Sequence, residues 1–259
     1  MAKEKKNKKP RKRVSAVEII LLIVCFCVLC LSCVLFYQNV YLERFFVSGQ
    51  SMWPTLNQYA LDENGKLVGQ EGRDKSGEIN SKVEVGVMDT HKAAKKRIKR
   101  FDIVATYYPE DFKFPDNKSE KIKRIIGLPG ETLFFTYDGN LYINDSFVEQ
   151  PIDSELIKSG AGTYEAKVTL ANDEYYVMGD NRKGHLSEDS RSVGAIKKDW
   201  IVGKVIAICG MGIVSSNGGF KDVKHKDIDY YKWPRFKLWN KFIGIQAIWK
   251  RHKLKYKKN

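Results

Sequence analysis

A serine hydroxyl is a poor nucleophile until a base removes its proton, and this chain offers few bases. Its four histidines are His91, His185, His225 and His252. The last two lie in a lysine-rich C-terminal stretch and His91 in a basic connector, so His185 alone stands near other polar candidates. A lysine can take the histidine's place in a serine hydrolase. It must then be neutral, and burial among apolar groups lowers its ordinary pKa of about 10.4 far enough. Lys123 has Ile122, Ile125, Ile126 and Leu128 around it, while Lys121 shares its face of an extended segment and competes for the role. The candidate nucleophile is Ser51, in Val47-Ser48-Gly49-Gln50-Ser51-Met52-Trp53-Pro54-Thr55-Leu56. Pro54 holds Trp53 in extended geometry and ends the turn. A third polar block runs from Gly179-Asp180-Asn181-Arg182 to Asp189-Ser190-Arg191.

The elements that must position these residues read as short strands. β-branched and aromatic runs with turn residues between them predict strands at Arg44–Val47, Val83–Met88, Phe101–Pro109, Lys121–Ile126, Thr132–Tyr137, Leu141–Ile143, Ala166–Leu170, Tyr175–Met178 and Ile201–Cys209. Turn signals stand at Pro129-Gly130, Asp138-Gly139-Asn140 and Gly179-Asp180-Asn181. Between residues 40 and 220 there is no amphipathic helix of 12 residues, so the expected class is mainly β, a coiled domain of many short strands. Residues 57–82 are polar and without period, and read as an exposed loop.

Ile19 to Phe36 is an apolar run of 18 residues, broken by Ser32 alone. With its flanks it forms a segment, 14–37, that as a helix of about 36 Å exceeds the hydrocarbon thickness of about 30 Å. Glu18 lies at the basic end, within reach of the interface. Cys25, Cys27, Cys30 and Cys33 fall within this span and read as small apolar filler, leaving Cys209 alone in the remainder. The formal charge of +14 divides as +7 over residues 1–13, +10 over 221–259 and −3 over everything between. A nucleic-acid binder would carry its basic stripe on the folded domain. Positive ends suit anionic lipid headgroups instead. The expected organisation is a basic cytoplasmic segment (1–13), a transmembrane helix (14–37), an extracytoplasmic β domain (38–220) and a basic aromatic tail (221–259). Leu238, Trp239, Phe242, Ile245 and Trp249 fall on one helical face, the pattern of an in-plane interfacial helix. No metal cluster, phosphate loop or nucleotide motif is visible, and no cofactor is expected.

The Ser51 block, Lys123-Arg124 with Gly127-Leu128-Pro129-Gly130, and the Gly-Asp-Asn-Arg and Asp-Ser-Arg blocks occur in this order behind an apolar span. Together they resemble the type I signal peptidases (leader peptidases), over roughly residues 14 to 210. The resemblance implies a membrane-anchored serine endopeptidase at the cell membrane that removes signal peptides after Ala-x-Ala segments through an acyl-enzyme. It makes Ser51 the nucleophile and selects Lys123, which immediately precedes an arginine, as the base. It has Ser187 orient Lys123 and Asp189 pair with Arg191. It places Phe45, Val47, Met52, Leu56 and Ile122 along shallow pockets for small side chains.

Three departures stand out. Gly49 replaces the serine that supplies a second oxyanion donor in some members, leaving the Gly49 or Gln50 amide or the Ser48 hydroxyl for that role. Phe101 stands where glycine is common. Six residues, Lys183 to Glu188, separate the last two blocks, where the family usually has four. Other readings are a specialised Ser-Lys processor of pilin or transfer proteins, and an inactive membrane-tethered peptide-binding module.

Overall fold

A computed structural model describes residues 15–47, 49–57, 81–114, 118–159, 166–183, 186–214 and 228–235. Two compact units divide the chain at Tyr41/Leu42. The first holds one helix, α1 (Ala16–Tyr41), of mean hydropathy 3.3 over its most apolar window, long and apolar enough to cross a membrane. Its start is closed by a reciprocal cap. Glu18 N–H donates to Ser15 Oγ at 3.2 Å and Ser15 N–H to Glu18 Oε2 at 2.8 Å. Ser32 loses its polar character to the helix itself, donating to Val28 O at 2.8 Å. The helix runs four residues beyond the expected boundary at 37, because Gln38, Asn39, Val40 and Tyr41 contain neither glycine nor proline to stop it.

Among the described residues, the regular structure of the second unit is mostly antiparallel strand. They are β1 (Leu42–Phe46), β2 (Ser81–Asp89), β3 (Ile103–Thr106), β4 (Lys121–Gly127), β5 (Thr132–Phe135), β6 (Leu141–Ile143), β7 (Ser146–Val148), β8 (Ala166–Thr169), β9 (Glu174–Met178), β10 (Ile196–Lys197), β11 (Ile201–Val214) and β12 (Ile228–Arg235). One sheet runs β1-β2-β11-β3-β4-β9-β10, with β12 also on β11; the other runs β7-β6-β5-β8. Helices are single turns or little more: α2 (Lys92–Lys96), α3 (Ser154–Ser159) and α4 (Ser190–Val193). The mainly β class expected from the sequence is therefore the one observed.

Long β11 is the spine. Its first residues pair with β3, and from Lys204 onward it pairs with β2. Register shifts along it bend the sheet, so that apolar faces close on one another. One core cluster gathers Phe45, Val47, Met52, Leu56, Met88, Ile103, Ala105, Val205 and Ile208. A second, around Val104, Ile125, Val177 and Ile201, lies on the alternate residues of the same central strands. The small sheet packs Leu133, Phe135, Leu141 and Ile143 against Ile126, Tyr176 and Met178.

Two boundaries move. Residues 228–235, expected in the tail, form β12 on β11, through Tyr, Trp and Ile that favour strands. Asn57, expected at the start of an exposed loop, is 1% exposed; residues 58–80 of that loop lie outside the described residues. The interfacial-helix expectation for the tail and the His185 alternative fall outside them as well.

Candidate active site

The three polar blocks meet at the ends of neighbouring strands. β1 delivers the chain into the Ser51 turn, where Trp53 N–H donates to Gln50 O at 2.9 Å and Leu56 N–H to Met52 O at 2.8 Å. Gly49 has φ +107°, a conformation that disfavours any side chain, and the turn needs it there. On β4, in the middle of the sheet, Lys123 stands opposite Val104 of β3. Its side chain is driven inward, and the residue is 4% exposed.

Lys123 Nζ donates to Ser51 Oγ at 2.8 Å. Burial is the main influence on this amine and lowers its pKa to about 8, against the opposing pull of Asp189 and Glu188. Lys121 is unlike it. Its ammonium pairs with Asp111 at 2.8 and 3.0 Å and donates to Ser119 O at 2.8 Å, at the partly exposed start of the strand.

The last block braces the site from beneath. Asp189 is fully buried and holds Arg191 through Nε at 2.8 Å and Nη2 at 2.9 Å. Burial alone would raise this carboxyl, but hydrogen bonds from Arg191, its charge, the Gly179 N–H and the Ser187 hydroxyl together lower it. Ser187 Oγ donates to Asp189 Oδ2 at 2.8 Å and makes no hydrogen bond to Lys123, contrary to expectation. A buried carboxylate is the stronger acceptor, and the amine is already engaged with Ser51. Gly179 has no room for a Cβ, which would lie 2.2 Å from Ser187 Oγ and 2.4 Å from Ser51 O.

Several residues beyond the expected set also serve the site. Asn181 fixes the Ser51 turn, donating its N–H to Ser51 O at 3.0 Å and its Nδ2 to Gln50 O at 3.2 Å. In a planar trans peptide the N–H points opposite to the C=O. Pinning Gln50 O therefore turns the Ser51 N–H the other way. Arg124 clasps Asp180 with bonds of 2.7 and 2.6 Å and also donates to Phe101 O at 2.8 Å. Phe101 has φ +70°, so it occupies the glycine-like conformation without being glycine. The turn is kept, and the ring packs against the third apolar cluster. The block spacing hid Asn181, Arg124 and Asp180 as site residues, although all three stand in the quoted motifs.

Of the expected pocket residues, Phe45, Val47, Met52 and Leu56 are buried together in the first cluster, and Ile122 packs against it while keeping some exposure. Ser48 lies outside the described residues.

The sequence carries the same message as this geometry. A family model described as "Signal peptidase, peptidase S26" matches residues 16–209. The chain belongs to that family. Signal peptidase I V of Bacillus subtilis (strain 168) is 39% identical over 120 residues, covering 42% of this chain and 66% of the relative. Signal peptidase IB of Staphylococcus aureus (strain N315) is 34% identical over 107 residues, 36% of this chain and 54% of the relative. The matched stretches thus span about half to two thirds of these curated relatives. A crystal structure of a signal peptidase I from Enterococcus faecalis V583 is 30% identical and is matched over 42% of this chain and 96% of its own, with a TM-score of 0.32.

Proposed function

We propose that this chain is a membrane-anchored serine endopeptidase that removes signal peptides from exported preproteins after small residues. The observation that carries the reading is the Lys123 amine, buried and 2.8 Å from the Ser51 hydroxyl. In its neutral form this amine accepts the Ser51 proton as Oγ attacks the scissile carbonyl carbon. The oxyanion that forms is met by the Ser51 N–H, oriented by the fixed Gln50 carbonyl. The Lys123 ammonium then returns the proton to the departing amine, leaving an ester on Ser51. Water, deprotonated by the same lysine, hydrolyses the ester. Ser187, Asp189 and Arg191 support the lysine's surroundings without touching the reacting atoms.

The substrate enters as an extended strand, its small side chains against Phe45, Val47, Met52, Leu56 and Ile122. Several of these are core residues, so the pockets are shallow and exclude bulk. Anchoring by α1 puts the basic residues 1–13 in the cytoplasm and the β unit outside, by the positive-inside rule. Anionic headgroups are the partners of the charged ends.

The test is cleavage of a synthetic preprotein bearing an Ala-x-Ala site by the detergent-solubilised full chain. Ser51→Ala and Lys123→Ala each abolish cleavage, whereas Lys121→Ala retains it. Full activity in Lys123→Ala would refute the dyad.

A further inference from the structure

Asn57 and Glu84 stand 27 residues apart, yet they form a closed circuit beneath the Ser51 turn. Asn57 N–H donates to Glu84 Oε2 at 2.7 Å, and Glu84 N–H donates back to Asn57 Oδ1 at 3.0 Å. Asn57 Nδ2 donates to Val47 O and, at 2.9 Å, to Gly49 O. The Val47 N–H in turn donates to Glu84 O at 2.9 Å. Because Oδ1 meets an N–H and Nδ2 meets two carbonyls, the orientation of the amide is fixed by its partners. Both residues are sequestered, Asn57 at 1% and Glu84 at 0% exposure. Asn57 has φ +55°, which asparagine tolerates better than most residues.

We propose that Asn57 and Glu84 are positioning residues for Ser51: they tie the way into the nucleophile turn to the way out of it. This rests on the Ser51–Lys123 reading above. At Val47 the chain leaves β2, and the Asn57 amide takes over the carbonyl that the ladder gives up. The second amide proton fixes the Gly49 carbonyl, which sets the direction of the Gln50 N–H by peptide planarity. That peptide lies next to the one whose N–H faces the oxyanion, and the Gln50 amide is itself one candidate for the second donor. Asn181 holds the turn from the far side, through the Gln50 and Ser51 carbonyls. Three successive carbonyls, of Gly49, Gln50 and Ser51, are therefore each held by a neighbouring asparagine. Aspartate could not replace Asn57, because it would turn an oxygen toward two carbonyls and add a charge beside the Glu84 carboxylate.

The experiment compares the full-length, detergent-solubilised wild type with Asn57→Gly, Glu84→Gln and Glu84→Ala. Glycine keeps the positive φ and removes only the side chain. Leu141→Ala, in the small sheet's core, is the control for lost stability. For Asn57→Gly, kcat per folded molecule on a synthetic signal peptide falls about tenfold to a hundredfold, as expected when a reacting group is misplaced by about 1 Å. The pH midpoint stays near wild type, since Lys123 is untouched, and KM changes less than kcat, since the pocket side chains are kept. Glu84→Gln still accepts from the Asn57 N–H and keeps more kcat than Glu84→Ala. Amide exchange over residues 50–53 quickens in Asn57→Gly and not in Leu141→Ala. Wild-type kcat in folded Asn57→Gly would overturn the clamp, as would a loss no greater than that of Leu141→Ala. Should Asn57→Gly fail to fold, equal kcat in the two Glu84 variants would overturn it. Should the wild type cleave no signal peptide, the function fails but the clamp is still judged by exchange. Unchanged exchange at residues 50–53 then refutes it.

Discussion

Lys123 carries opposite demands. Burial lowers its pKa from 10.5 to about 8, and a shift of that size corresponds to roughly 3 kcal/mol of burial cost while the group is charged. Between pH 8 and 10.5 the unfolded chain binds a proton that the folded chain has released, so stability rises with pH across that window. Below pH 8 both states are protonated and the full cost remains. Lys123→Met therefore raises the unfolding free energy at pH 7 by up to about 3 kcal/mol, and the advantage over wild type shrinks above pH 8. Urea titrations of both proteins at pH 7 and 9.5 check this. By the proposed mechanism the same shift sets the rate. Activity climbs as pH passes through about 8, since only the neutral amine takes the Ser51 proton, and a kcat profile falling from pH 6 to 9 would contradict it. The pairing of Ser51 with Lys123 was legible because each stands in a local motif. Asn57 with Glu84, and Asn181 with Gln50, were not, because their bonds join residues 27 and 131 positions apart. A lone asparagine in a polar stretch gives no local sign that its amide will end up buried.

At the scale of elements, β-branched runs revealed most strands, since burial on alternate residues leaves a periodic trace. Two of the shortest, β7 and β10, escaped. β7 has three residues, yet the Asn144-Asp145 turn before it, with φ of +48° and +63°, is the two-residue hairpin type that such residues favour. Block spacing was legible in order but not in contact: the Ser187 hydroxyl meets Asp189 instead of Lys123. Gly179 shows why this block tolerates little change. It links β9 to the Asp180 turn and lies against both Ser51 O and Ser187. Gly179→Ala must push the nucleophile turn and the Asp189 brace apart. It costs about 1–3 kcal/mol of stability by overpacking and lowers kcat at least as much as Asn57→Gly. Chemical denaturation and steady-state cleavage of the same preparation test both.

For the whole molecule, α1 supplies the attachment that the family and the apolar helix together imply. Alkaline carbonate washing leaves the full chain in the membrane fraction. Externally added protease removes the β unit from wall-less cells and spares residues 1–13. Protection of the β unit in that assay would contradict the proposed orientation. Composition made the candidate span legible because an apolar run of that length needs no tertiary partner to be recognised. It misplaced the boundary at 220 because the charge of residues 221–259 outweighs the strand-forming Tyr230, Tyr231 and Trp233 within them.

β12 also governs where the protein can be cut. It covers Ile208 to Gly212 of β11 on the side that β3 has already left. Pro234 within it gives that outer margin one donor fewer. A chain ended at 220 would bare this stretch of β11 as an unpaired backbone edge, the kind of surface on which copies stack into aggregates. A chain ended at 235 would keep it capped. Light scattering of the two truncations, both begun at Leu42 to leave out α1, separates them at equal concentration: the shorter form self-associates and the longer stays monodisperse. A soluble reagent made from this chain should therefore keep eight residues that its composition would assign to a disposable tail.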